Sequence, residues 1–172
     1  METRTSDTGA TVFARPSLEN SIWYGSALIS LLATAEMTDG RYALQLMRMQ
    51  KGFTPPAPHR HGPEDFYIIR GQLRFWVAGD EIVASDGDFV RTPPGIWHTF
   101  QVESDEAEFL IIFAPSGMEG FFRSLGTPAG ALELPGGRVG PPDPTRVRAL
   151  GPAYGIEFSP PGTTTANMGQ LP

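Results

Sequence analysis

The three histidines of this 172-residue chain and a nearby carboxylate could together bind a metal ion. His59 and His61 are one residue apart, so their side chains point to the same side if the segment is extended. Glu64 follows on the same segment, and His98 lies further along the chain. Three neutral imidazole nitrogens and one carboxylate oxygen form a suitable ligand set for a first-row divalent transition metal.

Short strands joined by tight turns are expected to position these four residues. Residues 52–63 are rich in proline and glycine, which excludes a helix and predicts an extended approach to the histidines. The chain then divides into strand-like segments bounded by Gly, Asp and Pro, at 64–70, 73–78, 81–84, 88–92, 97–102 and 108–114. This spacing is typical of an antiparallel sandwich or barrel.

A strand hairpin is expected before the histidines. Residues 26–36 and 41–50 are strand-like, and Asp39-Gly40 between them is a strong turn signal. A helix over 26–37 is the alternative, because short apolar runs fit both structures. Residues before the hairpin are interpreted as an arm, with 11–14 as one candidate strand.

Two short helices are expected after the barrel. The first runs from Ser116 as its cap to Leu125, and the second opens at Asp143 and reaches about Tyr154. We expect them to cover the outside of the barrel rather than to close its mouth, and we expect the tail from Ser159 to be frayed. The whole chain, 1–172, is thus interpreted as a single domain; its parts are an N-terminal arm at 1–25, a barrel at 26–114 with metal motifs at 52–71 and 87–102, and an extension at 115–172.

Composition excludes several classes of protein and site. The chain is 40% hydrophobic and 19% charged, so it is not disordered as a whole. Its net charge of −6 argues against nucleic-acid and anionic-membrane partners. It has no cysteine, so disulfides and thiolate ligands are excluded. We expect a cytoplasmic protein.

The two histidine segments resemble the paired motifs of the cupin superfamily, G(X)5HXH(X)3,4E(X)6G and G(X)5PXG(X)2H(X)3N. The second motif matches from Gly87 through Pro93-Pro94-Gly95 to His98, with Val102 in place of the asparagine.

The first motif matches at both early histidines, at Glu64 and at Gly71. Six residues rather than five follow Gly52, and only two residues separate His61 from Glu64, one fewer than the pattern requires. Counting forward from His61 therefore selects Asp65 as the carboxylate, whereas counting back from Gly71 selects Glu64. We favour Glu64 and leave Asp65 as the alternative.

Residues 26–158 are similar to one branch of that superfamily, the quercetin 2,3-dioxygenase-like cupins, through the segments 66–67, 71–77, 87–90, 93–98, 120–126 and 154–158. The resemblance implies an all-β double-stranded β-helix (the cupin or jelly-roll barrel) with short C-terminal helices. It also implies that His59, His61, Glu64 and His98 bind one divalent transition metal ion, which is Fe, Mn, Ni, Co, Cu or Zn.

The activity implied by the resemblance is a metal-dependent dioxygenase that cleaves a flavonol or related enolic aromatic small molecule with O2. Glu64 would be a metal ligand that also accepts the substrate proton, and a role as ligand only is equally open. The alternatives are a cyclase or isomerase that uses the metal as a Lewis acid and a non-catalytic small-molecule-binding cupin.

Aromatic and Met side chains near the motifs are the expected substrate contacts; they are Trp97, Phe66, Trp76, Phe100 and Met47. Alternation points Arg60 away from the metal. The hairpin at 26–50 is expected to supply an exposed edge strand, and the resemblance implies a homodimer that pairs such strands.

Overall fold

The computed structural model describes residues 12–172 as twelve strands and three α-helices. The strands are β1 (Ser21–Tyr24), β2 (Ala27–Ala33), β3 (Ala43–Gln50), β4 (His59–Arg60), β5 (Glu64–Arg70), β6 (Leu73–Val77), β7 (Asp80–Ala84), β8 (Phe89–Thr92), β9 (His98–Val102), β10 (Glu106–Phe113), β11 (Thr127–Pro128) and β12 (Glu157–Phe158). The helices are α1 (Ala35–Thr38), α2 (Met118–Leu125) and α3 (Pro144–Leu150). None of the helices within residues 12–172 is both long and apolar enough to cross a membrane.

The strands form two antiparallel sheets that face each other. The larger sheet has the order β11-β1-β2-β3-β10-β5-β8, and the smaller has the order β12-β4-β9-β6-β7. Phe66 of the larger sheet packs edge-on against Phe75 of the smaller sheet, with ring centroids 4.9 Å apart. The expected all-β jelly-roll barrel with short C-terminal helices is therefore confirmed.

Side-chain alternation along β5 decides what enters the barrel. Glu64, Phe66 and Ile68 are buried, whereas Tyr67 and Ile69 on the opposite face are exposed. Buried aromatic and aliphatic side chains of this kind each contribute about 1.5–3 kcal/mol to stability. The apolar positions of β5 thus hold the strand in a register that also turns Glu64 inward.

Gly71 ends β5 for a steric reason. Its φ is +96°, and a Cβ at this position would lie 2.6 Å from the backbone oxygen of Glu106. Its backbone N–H donates a hydrogen bond to the carboxylate of Asp86. Only glycine fits this turn without displacing its neighbours.

The predicted hairpin is present, but its connection and its position differ from the prediction. β2 and β3 pair antiparallel, and the helix α1 joins them where a tight turn was expected, with Asp39 in the left-handed region at its end. β1, which was predicted to be part of an arm, pairs with β2. The hairpin therefore lies inside the sheet, and the prediction that it supplies an exposed edge strand is wrong. In the candidate strand at 11–14, residues 12–14 form no strand and Thr11 lies outside the described residues.

The C-terminal segments follow the predicted helices with two corrections. α2 begins at Met118 with Gly117 as its N-cap, so the prediction that Ser116 caps it is wrong. Asp143 caps α3 as predicted, because its carboxylate accepts a hydrogen bond from the backbone N–H of Thr145. The tail is not frayed, since Ser159 and Met168 are fully buried.

Candidate metal centre

Two paired strands of the smaller sheet and one strand of the larger sheet bring the four predicted ligands together. β4 pairs with β9 so that His59 lies directly opposite His98. His61 follows β4 immediately, and Glu64 is the first residue of β5. One ligand atom from each of these four residues lies within 4.8 Å of the others. We call this set of three histidines and one glutamate the ligand cluster.

The register of β5 distinguishes between the two candidate carboxylates. Glu64 is 5% exposed, and its carboxylate faces the three histidines. Asp65 points to the opposite face, where its carboxylate lies 3.7 Å from the guanidinium of Arg91. The missing residue after His61 is absorbed in the loop before β5. Arg60 points away as predicted, and it forms an ion pair with Glu157 at 2.8 Å.

Backbone carbonyls hold all three imidazoles in one tautomer. The Nδ1 atoms of His59, His61 and His98 lie 3.0, 2.8 and 2.8 Å from the carbonyl oxygens of residues 57, 62 and 96. A carbonyl oxygen only accepts, so each Nδ1 carries the hydrogen and donates it. The Nε2 atoms of the neutral rings then present lone pairs, which is the form of imidazole that binds metals.

One buried nitrogen of the ligand cluster lacks a hydrogen-bond partner among the described residues. Nε2 of His98 is fully buried and forms no hydrogen bond with the described residues. The Oε2 atom of Glu64 lies 3.3 Å from that nitrogen and 3.5 Å from Nε2 of His61. Three imidazole nitrogens and a carboxylate oxygen at these separations fit a transition metal ion, because such an ion would satisfy all of them at once.

Burial and mutual charge set the protonation of the ligand cluster. Burial, followed by the nearby charges of His98 and His61, lowers the pKa of His59 to about 3. Burial alone would raise the pKa of Glu64, but the neighbouring imidazoles of His61 and His98 outweigh burial and lower that pKa to about 2. Burial also lowers the pKa of His61, yet the interactions with the Glu64 carboxylate outweigh it and raise that pKa. In the metal-free protein, His61 is therefore the ligand that retains a proton at the highest pH of these three.

A cavity of about 60 Å³ lies beside the ligand cluster. His59, His61 and Glu64 line one side of it, and the walls are aromatic and aliphatic side chains such as Phe53, Phe100, Ile111 and Phe113. Substrates bind in apolar pockets of this kind, where a few polar groups set their orientation.

The C-terminal helices form the roof of this cavity. Met118, Phe121 and Phe122 of α2 and Val147 of α3 line it. The prediction that these helices only cover the outside of the barrel is therefore wrong. The apolar stripe of α2 was visible in the sequence, but an apolar helix face packs equally well on a barrel wall or over its mouth.

Two of the five predicted substrate contacts line the cavity, namely Met47 and Phe100. Phe66 lies behind Phe100 in the core, with ring centroids 5.7 Å apart. Trp76 lies outside the cavity lining, and its indole N–H donates to the carboxylate of Glu81. Trp97 is also outside the lining, because its indole N–H donates to the carbonyl of Pro172.

Sequence reasoning did not select several of the residues that line the cavity. Tyr24 belongs to β1, which was interpreted as part of an arm, and Phe122 and Phe158 belong to the C-terminal extension. The only signal for them in the sequence was their aromatic character.

Comparison with known proteins relates the barrel to a family. Residues 45–114 match the family model described as Cupin domain. The barrel resembles a cupin domain over these residues. The chain is 30% identical over 105 residues to quercetin 2,3-dioxygenase of Bacillus subtilis (strain 168), which covers 60% of this chain and 31% of that one. It is 34% identical over 79 residues to quercetin 2,3-dioxygenase of Aspergillus japonicus, which covers 43% of this chain and 23% of that one.

The chain thus spans less than a third of the length of these curated relatives. Among solved structures, the polyketide cyclase RemF from Streptomyces resistomycificus superposes on this chain with a TM-score of 0.51. That match has 15% sequence identity and covers 61% of this chain and 81% of the other, so it demonstrates a common fold. The predicted resemblance to quercetinase-like cupins is confirmed.

Proposed function

We propose that this cupin is a metal-dependent dioxygenase that cleaves a flavonol or a related enolic aromatic small molecule with O2. The observation that carries the proposal is the ligand cluster, with free Nε2 lone pairs, at the side of an apolar aromatic cavity. The similarity to two quercetin 2,3-dioxygenases supports the choice of reaction.

His59, His61, Glu64 and His98 would hold one divalent ion among Fe, Mn, Ni, Co, Cu and Zn. Such an ion supplies Lewis acidity toward an enolic oxygen and, when redox-active, a route for electrons to O2. The chain itself orients the ligands, because the backbone carbonyls that accept from each Nδ1 prevent the imidazoles from turning.

Glu64 is the group that would accept the hydroxyl proton of an enolic substrate. Its carboxylate is ionised, it is buried beside the cavity, and it has a second oxygen besides the one near the imidazoles. Burial favours its neutral form, whereas the neighbouring imidazoles, when protonated, favour the charged form. Loss of the His61 proton therefore makes Glu64 a stronger base.

The cavity would hold the aromatic body of the substrate and exclude water. Phe113 lies directly opposite Glu64 on the neighbouring strand, and its ring centroid is 6.1 Å from that of His61. The volume of about 60 Å³ is far below the roughly 300–1,000 Å³ of sites that enclose drug-sized ligands. We infer that α2 moves outward when a flavonol enters.

Oxygen uptake and headspace carbon monoxide test the proposal. The apo-protein is reloaded separately with Mn, Fe, Co, Ni and Zn and then given quercetin. We expect oxygen uptake with carbon monoxide release for at least one redox-active metal, loss of both in Glu64→Gln, and full activity in the matched control Asp65→Asn. Stoichiometric metal without oxygen uptake would refute quercetin as the substrate and would favour a non-oxygenase enzyme or a binding cupin. Turnover without oxygen would then indicate a cyclase or isomerase, and binding without turnover would indicate a non-catalytic module.

We also propose that the protein is a cytoplasmic homodimer that takes neither nucleic acid nor membrane as a partner. Its net charge of −6 supports the exclusion of polyanionic partners. The edge strands available for pairing are β11 and β8 in the larger sheet and β12 and β7 in the smaller sheet. A mass near 18.7 kDa by light scattering would contradict the dimer.

A further inference from the structure

Tyr24 contributes the one polar side chain that lines the cavity outside the ligand cluster, among the residues from 12 to 172. It is 5% exposed, and its ring packs edge-on against Phe122 at 5.5 Å and tilted against Phe53 at 6.4 Å. The side chain is therefore held firmly in the wall. Burying a hydroxyl in such a wall is unfavourable unless a hydrogen bond compensates.

The hydroxyl of Tyr24 has no such partner in the part of the chain that the structure describes. No hydrogen bond to it is present, yet it is not one of the fully enclosed polar atoms that lack a partner. It therefore keeps contact with open space, which its position in the cavity lining provides. Burial raises the pKa of Tyr24 to about 12, so the group is a neutral O–H donor at neutral pH.

Strand register places the backbones of Tyr24 and Glu64 far apart. Tyr24 pairs with Ala27 on β2, which pairs with Met49 near the end of β3. Glu64 pairs with Phe113 on β10, which pairs with Ala43 at the start of β3. The two residues are thus level with opposite ends of β3, and the other residues that line the cavity outside the ligand cluster are apolar.

We propose that the Tyr24 hydroxyl donates a hydrogen bond to a substrate oxygen that is remote from the ligand cluster. The substrate is then a molecule with two oxygen-bearing ends, an enolic group at the ligand cluster and a hydroxyl or carbonyl at Tyr24, joined by an apolar body. The assignment rests on the proposed function only in placing the enolic group at the ligand cluster.

Binding of two flavonols tests this assignment without turnover. Wild type and Tyr24→Phe are loaded with redox-inert zinc, and quenching of protein fluorescence is titrated with 3-hydroxyflavone and with 3,4′-dihydroxyflavone. The two probes differ by one hydroxyl at the end distant from the enol. Tyr67→Phe is the matched control, because Tyr67 lies on the exposed outer face of β5.

We expect Tyr24→Phe to weaken binding of 3,4′-dihydroxyflavone by roughly three- to tenfold, the worth of one neutral hydrogen bond. Binding of 3-hydroxyflavone should stay the same, as should both affinities in Tyr67→Phe. Because phenylalanine keeps the ring contacts, the thermal midpoint of Tyr24→Phe should match that of wild type. Equal effects on the two probes, no effect on either, or failure of wild type to bind them would overturn the assignment.

The outcome is independent of the dioxygenase test. If Tyr24→Phe binds only 3,4′-dihydroxyflavone more weakly and no metal form takes up oxygen, the role of Tyr24 is supported and the dioxygenase reaction on quercetin is refuted. If a metal form takes up oxygen but Tyr24→Phe binds both flavonols as wild type does, the reaction is supported and the role of Tyr24 is refuted.

Discussion

Replacing Glu64 by glutamine should change how many protons the protein releases when it binds a metal. In the metal-free protein, the Glu64 carboxylate raises the pKa of His61 above its ordinary value of 6.5, against the opposing effect of burial. A raised pKa means that His61 holds a proton that an incoming ion must displace. Glutamine removes the charge, so burial then lowers the pKa of His61 below its ordinary value.

The expected change in proton release follows from the directions in which the pKa of His61 shifts in the two proteins. At pH 6.5, His61 is more than half protonated in the wild-type protein and less than half protonated in Glu64→Gln. His59, with a pKa of about 3, holds essentially no proton at this pH in the metal-free protein and adds nothing to the release. The variant should therefore release fewer protons per zinc ion, and it should also bind zinc at least about tenfold more weakly because it lacks a charged ligand.

Isothermal titration calorimetry in buffers of different ionisation enthalpy measures this proton release directly. Zinc is titrated into wild type, Glu64→Gln and Asp65→Asn at pH 6.5 and at pH 8. Wild type and Asp65→Asn should release similar numbers of protons at pH 6.5 and fewer at pH 8, where His61 is closer to neutral. Equal proton release by Glu64→Gln and wild type at pH 6.5 would refute the coupling between Glu64 and His61.

Three further substitutions test the cavity and the barrel. Phe122→Ala opens the roof, so stopped-flow fluorescence quenching should detect faster flavonol binding to the zinc form. The free energy of unfolding should fall by only about 2 kcal/mol, because the ring is half-buried. Phe89→Ala on the exposed face is the control, and an unchanged association rate in Phe122→Ala would contradict the assignment of α2 as the roof. Gly71→Ala should lower the free energy of unfolding in urea by more than the roughly 1–3 kcal/mol that backbone strain alone costs, because the new Cβ would lie 2.6 Å from a backbone atom. Gly87 has a φ of +86° and open space around it, so Gly87→Ala should lower this free energy by the strain alone. Trp97→Phe should leave flavonol affinity within twofold of wild type, and a tenfold loss would place the indole in the site after all.

Local signals predicted most of the barrel. β5 was predicted at 64–70 as observed, and the neighbouring strands from β6 to β10 differ by one or two residues at their ends. Glycine, aspartate and proline mark the turns between these strands, and their preferences act within a few residues. The sequence contains no comparable signal for the pairing of β1 with β2, because the four residues of β1 have no alternating pattern that distinguishes a strand from an arm.

The order and spacing of side chains along the chain predicted which residues form the ligand cluster. His59, His61 and His98 occupy motif positions, and the period of two in a strand is enough to put the first two on one side. The sequence left Glu64 and Asp65 as rivals, since a missing loop residue shifts the count by one. Pairing of β5 with β10 resolved that question, because register depends on which apolar face is buried.

Only the tertiary structure decided what surrounds the ligand cluster. Phe122 and Val147 come from helices far along the chain, and Tyr24 comes from a strand well before the motifs, yet all three line one cavity. Trp97, although adjacent to His98, turns away from it to the carbonyl of Pro172. Ligand spacing is a short-range property that the backbone period sets, whereas the walls of a cavity depend on how distant segments fold over one another, which no local pattern encodes.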